Sequence, residues 1–412
     1  MPPRRPASAA PSYLPALDGL RGIAVLLVMV CHFGPEPAVR THAANLIALV
    51  CSIGWVGVDL FFVLSGFLIT RILLASRDDP RYFGNFYVRR VLRIFPLYYL
   101  TLLGVFVVLP VVFHAAAPEP AGSHQAWLWT YTANLLVAQR RDWLFLAPYA
   151  DLNHFWSLAI EEQFYLVWPL AVAFLPRPRL IALTLAGVAA SLLLRFALLR
   201  SGAGTMTLYT LTPCRLDGLL AGALLAVALG DPALWSRARA LAGPALAASA
   251  LGLALIVGAS GPSPLSRPMS VPGYLLAAVF FAALLVKVLA GPDTRLSRAL
   301  QVRALTTVGK YSYGLYVLHR IGLVRWLVDT DPVRLGRLLL GGAARFDVVE
   351  PVGLVAYILL CTLVSFPIAI ASYWIVERPF LNLKEMFRAA PAPAPPSDPP
   401  RPAGRRRRRV AR

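Results

Sequence analysis

Charge is what this sequence has least of. Of its 412 residues, 15% are Asp, Glu, Lys or Arg, whereas a soluble globular domain carries about 25%. Cysteine is scarce as well. The four present, Cys31, Cys51, Cys214 and Cys361, form no CxxC pair and no metal-ligand spacing. That excludes a disulfide framework and a zinc site, and it leaves four small apolar residues in helices. No small-residue cleavage site follows the first apolar run, so a cleavable signal peptide is not expected. Acidic residues number 20 against 40 basic ones, a formal net charge of +20. The arginines punctuate apolar runs instead of gathering on a polar domain, which argues against nucleic acid as a partner and for a membrane.

Apolar residues are abundant: 58% of the chain, with a mean hydropathy of +0.64. Ten stretches reach the ~17–25 residues that a helical span needs. They lie at about 16–34, 53–75, 91–113, 154–175, 180–199, 209–229, 240–259, 273–290, 305–328 and 351–376. The expected fold is all-α, a polytopic transmembrane helical bundle of about ten spans with no soluble domain. The expected layout is a basic lead at 1–13, a membrane domain at 14–388 and a disordered Pro/Arg-rich tail at 389–412. With the N-terminus inside, arginines such as Arg77, Arg81, Arg89, Arg90, Arg177 and Arg179 fall in inside loops, and the longer outside loops hold fewer. Both termini are therefore expected in the cytoplasm, with the chain in a bacterial inner membrane.

Several ionisable residues interrupt these runs. Arg21 and His32 stand eleven positions apart in LDGLRGIAVLLVMVCHF. Eleven helical steps return to nearly the same face about 16 Å further on, so one helix presents a cation and an imidazole at two depths. Ionisable groups inside a span are costly and read as functional by default. Asp59 enters the second span, GVDLFFVLSGFLI, at about the depth where His32 ends, and is expected to accept the second imidazole N–H. Ser65-Gly66 in the same span reads as a close helix-packing position. Arg90 and Arg93, three apart in FYVRRVLRIFPLYY, form a guanidinium pair suited to phosphate. The fourth span opens HFWSLAIEEQFYLVWP, placing His154, Trp156, Ser157 and Glu161 within a few turns of the outer surface. Of the adjacent carboxylates Glu161 and Glu162, the spacing favours Glu161. His319 follows Tyr311, Tyr313 and Tyr316 in YSYGLYVLHR, and ERPF stops the last span.

Together, in this order and over residues 14–380, these stretches resemble the acyltransferase-3 family of bacterial membrane O-acyltransferases, the O-antigen and exopolysaccharide acetylase type. The resemblance implies ten helices and transfer of an acyl group from cytoplasmic acyl-CoA, acetyl-CoA above all, to a sugar or glycoside hydroxyl. It maps the family's Arg-x10-His pair onto Arg21 and His32, its Arg-x-x-Arg pair onto Arg90 and Arg93, and its Trp-Ser-Leu-x-x-Glu stretch onto Trp156, Ser157, Leu158 and Glu161. On this reading Arg21, Arg90 and Arg93 hold the co-substrate, and His32 acts as base or acyl carrier. Asp59 and Glu161 assist it, while His154, Trp156, Ser157 and His319 bind the acceptor. No metal or tightly bound cofactor is expected; the partners are membrane lipids, acyl-CoA and the carbohydrate. Many relatives carry a soluble esterase-like domain that this sequence is not expected to have, so the need for a separate extracytoplasmic partner stays open. The alternative is a proton-coupled transporter or flippase for a lipid-linked sugar, which has no use for the Arg90–Arg93 grip.

Overall fold

A computed structural model describes residues 14–35, 41–112, 121–147, 149–291, 293–322, 324, 331–341 and 345–387. The basic lead and the Pro/Arg-rich tail expected from the sequence lie outside these residues. Helices account for nearly all of the rest; the described strands are Leu146–Ala147 and Ala150–Asp151, a two-stranded antiparallel ribbon.

The helices that build the bundle are α1 (Pro15–Phe33), α2 (Val56–Ala75), α3 (Tyr82–Leu103), α4 (Phe155–Phe174), α5 (Arg177–Arg200) and α6 (Thr212–Leu229). They are followed by α7 (Pro232–Ser260), α8 (Tyr274–Ala290), α9 (Arg303–Lys310), α10 (Ser312–Leu318) and α11 (Phe346–Ser372). Starts follow ordinary end chemistry: Pro15 opens α1 at a position with no intrahelical N–H bond to lose, and the Asp231 carboxylate accepts from Ala233 and Leu234 N–H at the head of α7.

Among the described residues, eight helical segments are long and apolar enough to cross a membrane. Their outward faces expose large apolar side chains such as Leu193, Leu251 and Leu363, the pattern of helices solvated by lipid tails. Two of the ten expected stretches differ. The fourth is a continuous helix, α4, but Glu161-Glu162-Gln163 at its centre lowers its apolar character. The ninth is a correction: the chain breaks at Tyr311 into α9 and α10 and ends its helix at Leu318, and much of 319–328 falls outside the described residues.

The centre is held by close backbone approach. A Cβ on Gly66 of α2 would collide with the Leu219 carbonyl of α6, and one on Gly222 of α6 with the Val63 carbonyl of α2. Small residues at such crossings are how helices associate without a hydrophobic drive from water. The expected packing role of Gly66 is thus met, while its neighbour Ser65 turns the other way, towards Glu161. α9 packs on α1 by the same means, Gly309 against the Asp18 carbonyl and Gly22 against that of Leu305.

Gly66→Val should force α2 and α6 apart at a cost of about 1–3 kcal/mol, seen as a lower thermal-aggregation midpoint in detergent. Gly104→Ala, at a position with open space around its Cβ, should leave the midpoint unchanged.

Candidate active site

Among α1, α2, α3, α4 and α10 lies a cavity of about 310 Å³. One end is basic: Arg21 of α1 and Arg90 and Arg93 of α3 line it. None of the three has a carboxylate within ion-pair distance among the described residues, and the Arg21 Nε is buried with no partner. Arg90 lies 5.5 Å from the Tyr165 ring centroid, a cation–π contact. The opposite wall carries both α4 carboxylates. Glu161 Oε1 accepts a 2.6 Å hydrogen bond from Ser65 Oγ, and Glu162, which the spacing had ranked below it, also faces the cavity. The three guanidinium groups are half-buried and share the cavity with the Asp18, Glu161 and Glu162 carboxylates without a direct ion pair to them, so their donors remain open to an anion.

The far end of the cavity is closed by Ser157 and Tyr316, whose hydroxyls share a very short hydrogen bond. Tyr316 Oη also donates to the His154 carbonyl at 3.0 Å. Behind this pair stand three imidazoles. His32 Nδ1 is 2.8 Å from His319 Nε2, and the His154 ring centroid lies 4.7 Å from that of His319 and 6.0 Å from that of His32. Tyr316 touches the histidines on one side and the cavity on the other. The expected placement of Arg21 and His32 at two depths of one helix face therefore becomes an arginine-walled chamber leading to a histidine cluster. His32 itself does not line the chamber.

The ribbon fixes the cluster from outside. Asp151 and Arg320 form a 2.8 Å ion pair, Asp151 N–H donates to the Arg320 carbonyl at 3.0 Å, and Gly322 N–H donates to the Tyr149 carbonyl at 2.9 Å. These bonds tie the residue after His319 to the strand that precedes α4.

Two expectations are corrected. Asp59 does not serve His32: its Oδ1 accepts from Arg215 Nη2 at 2.8 Å, with both side chains buried. The Arg215 guanidinium is enclosed by aromatic rings, 4.0 Å from the Tyr274 centroid, 5.2 Å from Tyr209 and 5.9 Å from Trp156. Two residues along α6, Asp217 pairs with Arg195 of α5 at 2.9 Å. Trp156 is the second correction: it forms a wall of the Arg215 cage and faces neither the chamber nor the histidines. Nothing in the local spacing of GVDLFF or HFWSL announces these partners, because they come from α6, some 156 positions away for Asp59.

The candidate site residues therefore divide. Arg21, Arg90, Arg93, Ser157 and Glu161 meet at the chamber; His32, His154 and His319 meet behind it; Asp59 and Trp156 belong to a separate buried ion-pair centre. Among the described residues no group of histidine, cysteine and carboxylate side chains is arranged to hold a metal ion.

Comparison with known proteins adds three findings. The acyltransferase-3 family model, an acyltransferase domain, matches residues 14–374. The chain is 28% identical over 361 residues to the peptidoglycan O-acetyltransferase OatA of Listeria monocytogenes, covering 82% of this chain and 54% of the relative. It is 31% identical over 319 residues to the putative peptidoglycan O-acetyltransferase YrhL of Bacillus subtilis (74% and 48%), and 30% identical over 328 residues to the O-acetyltransferase OatA of Staphylococcus aureus (75% and 50%). The chain thus spans about half the length of these relatives. No solved structure matches it.

Removing one member of a buried ion pair costs about 3–5 kcal/mol, whereas replacing both with apolar residues is often neutral. Asp59→Leu and Arg215→Met should each lower the yield of folded protein sharply, and the double variant should recover it. A double variant that folds should also keep the activity of the parent; if Asp59 oriented His32, that activity would be lost.

Proposed function

This chain belongs to the acyltransferase-3 family, and from that membership we propose that it is a membrane O-acyltransferase. It moves an acetyl or other short acyl group from acyl-CoA to a hydroxyl of a cell-envelope saccharide. The observation that carries the reading is the arginine-walled chamber ending at Tyr316, with the His32–His319 pair directly behind. The relatives named for peptidoglycan O-acetylation support a glycan of that class as the acceptor.

On this reading the donor enters from the basic end, which faces the cytoplasm together with both termini. Arg90 and Arg93 hold its phosphates, since a guanidinium pair on one helix face matches phosphate oxygens bidentately. A second, more open cavity of about 350 Å³ adjoins the first through Asp18 and Arg93, and carries Lys310 with the hydroxyls of Thr306 and Thr307. It gives the nucleotide end of the donor a place while the pantetheine arm runs into the inner chamber. There Glu161 and Glu162 are placed to accept from the arm's amide N–H groups, and the thioester reaches Tyr316.

The acceptor hydroxyl approaches from the opposite side, past the Asp151–Arg320 ion pair. His32 removes its proton as the oxygen attacks the thioester carbon. The carbon–sulfur bond then breaks, and the leaving thiolate takes the proton back from His32. Positioned general-base catalysis of this kind contributes about 10²–10⁴-fold. Bringing two reactants in from opposite faces also keeps bulk water off the thioester.

The reading is tested by release of CoA thiol from acetyl-CoA by the purified chain, with and without a peptidoglycan-derived oligosaccharide. His32→Ala should abolish release, a loss of at least about 10² in kcat. Arg93→Ala and Lys310→Ala should mainly raise KM for the donor, about ten- to a hundredfold for each charge-assisted contact of roughly 1.5–3 kcal/mol. A folded wild-type protein that neither turns over nor binds acetyl-CoA would favour transport over acyl transfer.

A further inference from the structure

His319 emerges from the fold in a different role from the acceptor-binding one its sequence position suggests. It stands at the C-terminal end of α10, buried, with Nδ1 2.8 Å from the Tyr316 carbonyl oxygen and 3.1 Å from that of Leu315. Carbonyls at a helix C-terminus lack intrahelical donors and take them from nearby side chains. A carbonyl oxygen only accepts, so the hydrogen in this contact sits on His319 Nδ1. A neutral imidazole has one N–H, which leaves a lone pair on His319 Nε2.

That nitrogen is 2.8 Å from His32 Nδ1. Two nitrogens this close need one hydrogen between them, and only His32 is free to supply it. The rings are 13° from coplanar with centroids 5.0 Å apart, about what two imidazoles joined edge to edge by an N–H···N bond require. A protonated His319 would reverse the bond but would place a cation beside Arg320 with no carboxylate to spare, Asp151 being taken by that arginine. An unpaired buried charge is disfavoured.

We propose that His319 is a positioning residue that locks His32 in the Nδ1–H tautomer, aiming the His32 Nε2 lone pair at the reacting hydroxyl. Carbonyl, His319 and His32 form a relay in the place where a carboxylate–histidine pair would otherwise stand. Nε2 is the remaining basic nitrogen of a half-buried ring and bonds to no described residue. When it takes the acceptor's proton, His32 becomes an imidazolium whose Nδ1–H donates to His319 Nε2. The charge is shared towards the two α10 carbonyls, at the negative end of that helix. When the thiolate leaves and collects the Nε2 proton, the relay is restored with no net proton gained or lost.

The catalytic consequence rests on the acyl-transfer reading, but the tautomer does not, so the two are tested separately. Full-length protein with 15N-labelled imidazoles, in detergent or nanodiscs, reports which His32 nitrogen bears hydrogen, the His32 signal being identified by its loss in His32→Ala. Wild type should show Nδ1–H with an unprotonated Nε2. His319→Phe, which keeps ring volume but offers no acceptor, should shift His32 away from that form. In turnover, kcat should fall at least about 10²-fold, as loss of a correct tautomer does elsewhere, with KM for acetyl-CoA changed less than twofold. His319→Gln, whose Oε1 can accept from His32 Nδ1–H, should recover at least tenfold of that kcat. A wild-type His32 carrying its hydrogen on Nε2 would overturn the proposal whether or not the chain transfers acyl groups. So would a folded His319→Gln no faster than His319→Phe.

Discussion

The cost of placing a charge among apolar helices organises this molecule. Among the described residues Arg195 and Arg215 are buried, while Arg21, Arg90 and Arg93 are half-buried around the cavity, and their surroundings sort them into two kinds. Arg195 and Arg215 each have an aspartate at 2.9 or 2.8 Å, and Arg215 also has a shell of aromatic faces. These charges are neutralised locally, and they join α2, α5, α6 and α8 into one unit. Arg21, Arg90 and Arg93 have no such partner among the described residues, and all three border the same cavity. The cavity they share also holds the Asp18, Glu161 and Glu162 carboxylates, none of them in direct ion-pair contact with these arginines. On the proposed reading, the open N–H groups of the arginines receive the anionic acyl donor.

The same constraint orders the opposite end. Three histidines within 6.0 Å of one another would repel strongly if all were charged. His319 is anchored to the Leu315 and Tyr316 carbonyls and His32 to His319, with no carboxylate between them; on the proposed reading both are neutral and take one proton between them. Tyr316 separates this neutral, titratable end from the fixed cations, and its ring and hydroxyl contact both. On the proposed reading, one polyanionic donor and one hydroxyl acceptor approach from different sides of this partition.

What the sequence made legible was whatever depends on one helix at a time. The eleven-residue interval of Arg21 and His32, the three-residue interval of Arg90 and Arg93, and the cluster opening α4 all follow from a 3.6-residue repeat, and the structure brings all of them but Trp156 to the chamber or to the histidine cluster behind it. The partner of Asp59 was hidden, because depth in the membrane suggested His32 while only the packing of α2 on α6 brings Arg215 within 2.8 Å. Trp156 misled for the same reason: its flanking residues face the site, but its own direction on α4 points to the Arg215 cage. The break at Tyr311 was equally invisible, since an apolar run reads the same whether α9 and α10 are continuous or not. The end of α10 at Leu318 was no more legible, and it is there that the Leu315 and Tyr316 carbonyls meet His319.

The most direct measurement is a cryo-EM structure of the purified chain with a non-hydrolysable thioether analogue of acetyl-CoA. The expected map has phosphate density at Arg90 and Arg93, the pantetheine arm in the chamber beside Glu161, the acyl carbon within reach of His32 Nε2, and an undisturbed Asp59–Arg215 pair. An analogue bound at the Arg215 cage, or one whose acyl end lies away from the histidine cluster with its phosphates clear of both α3 arginines, would contradict it.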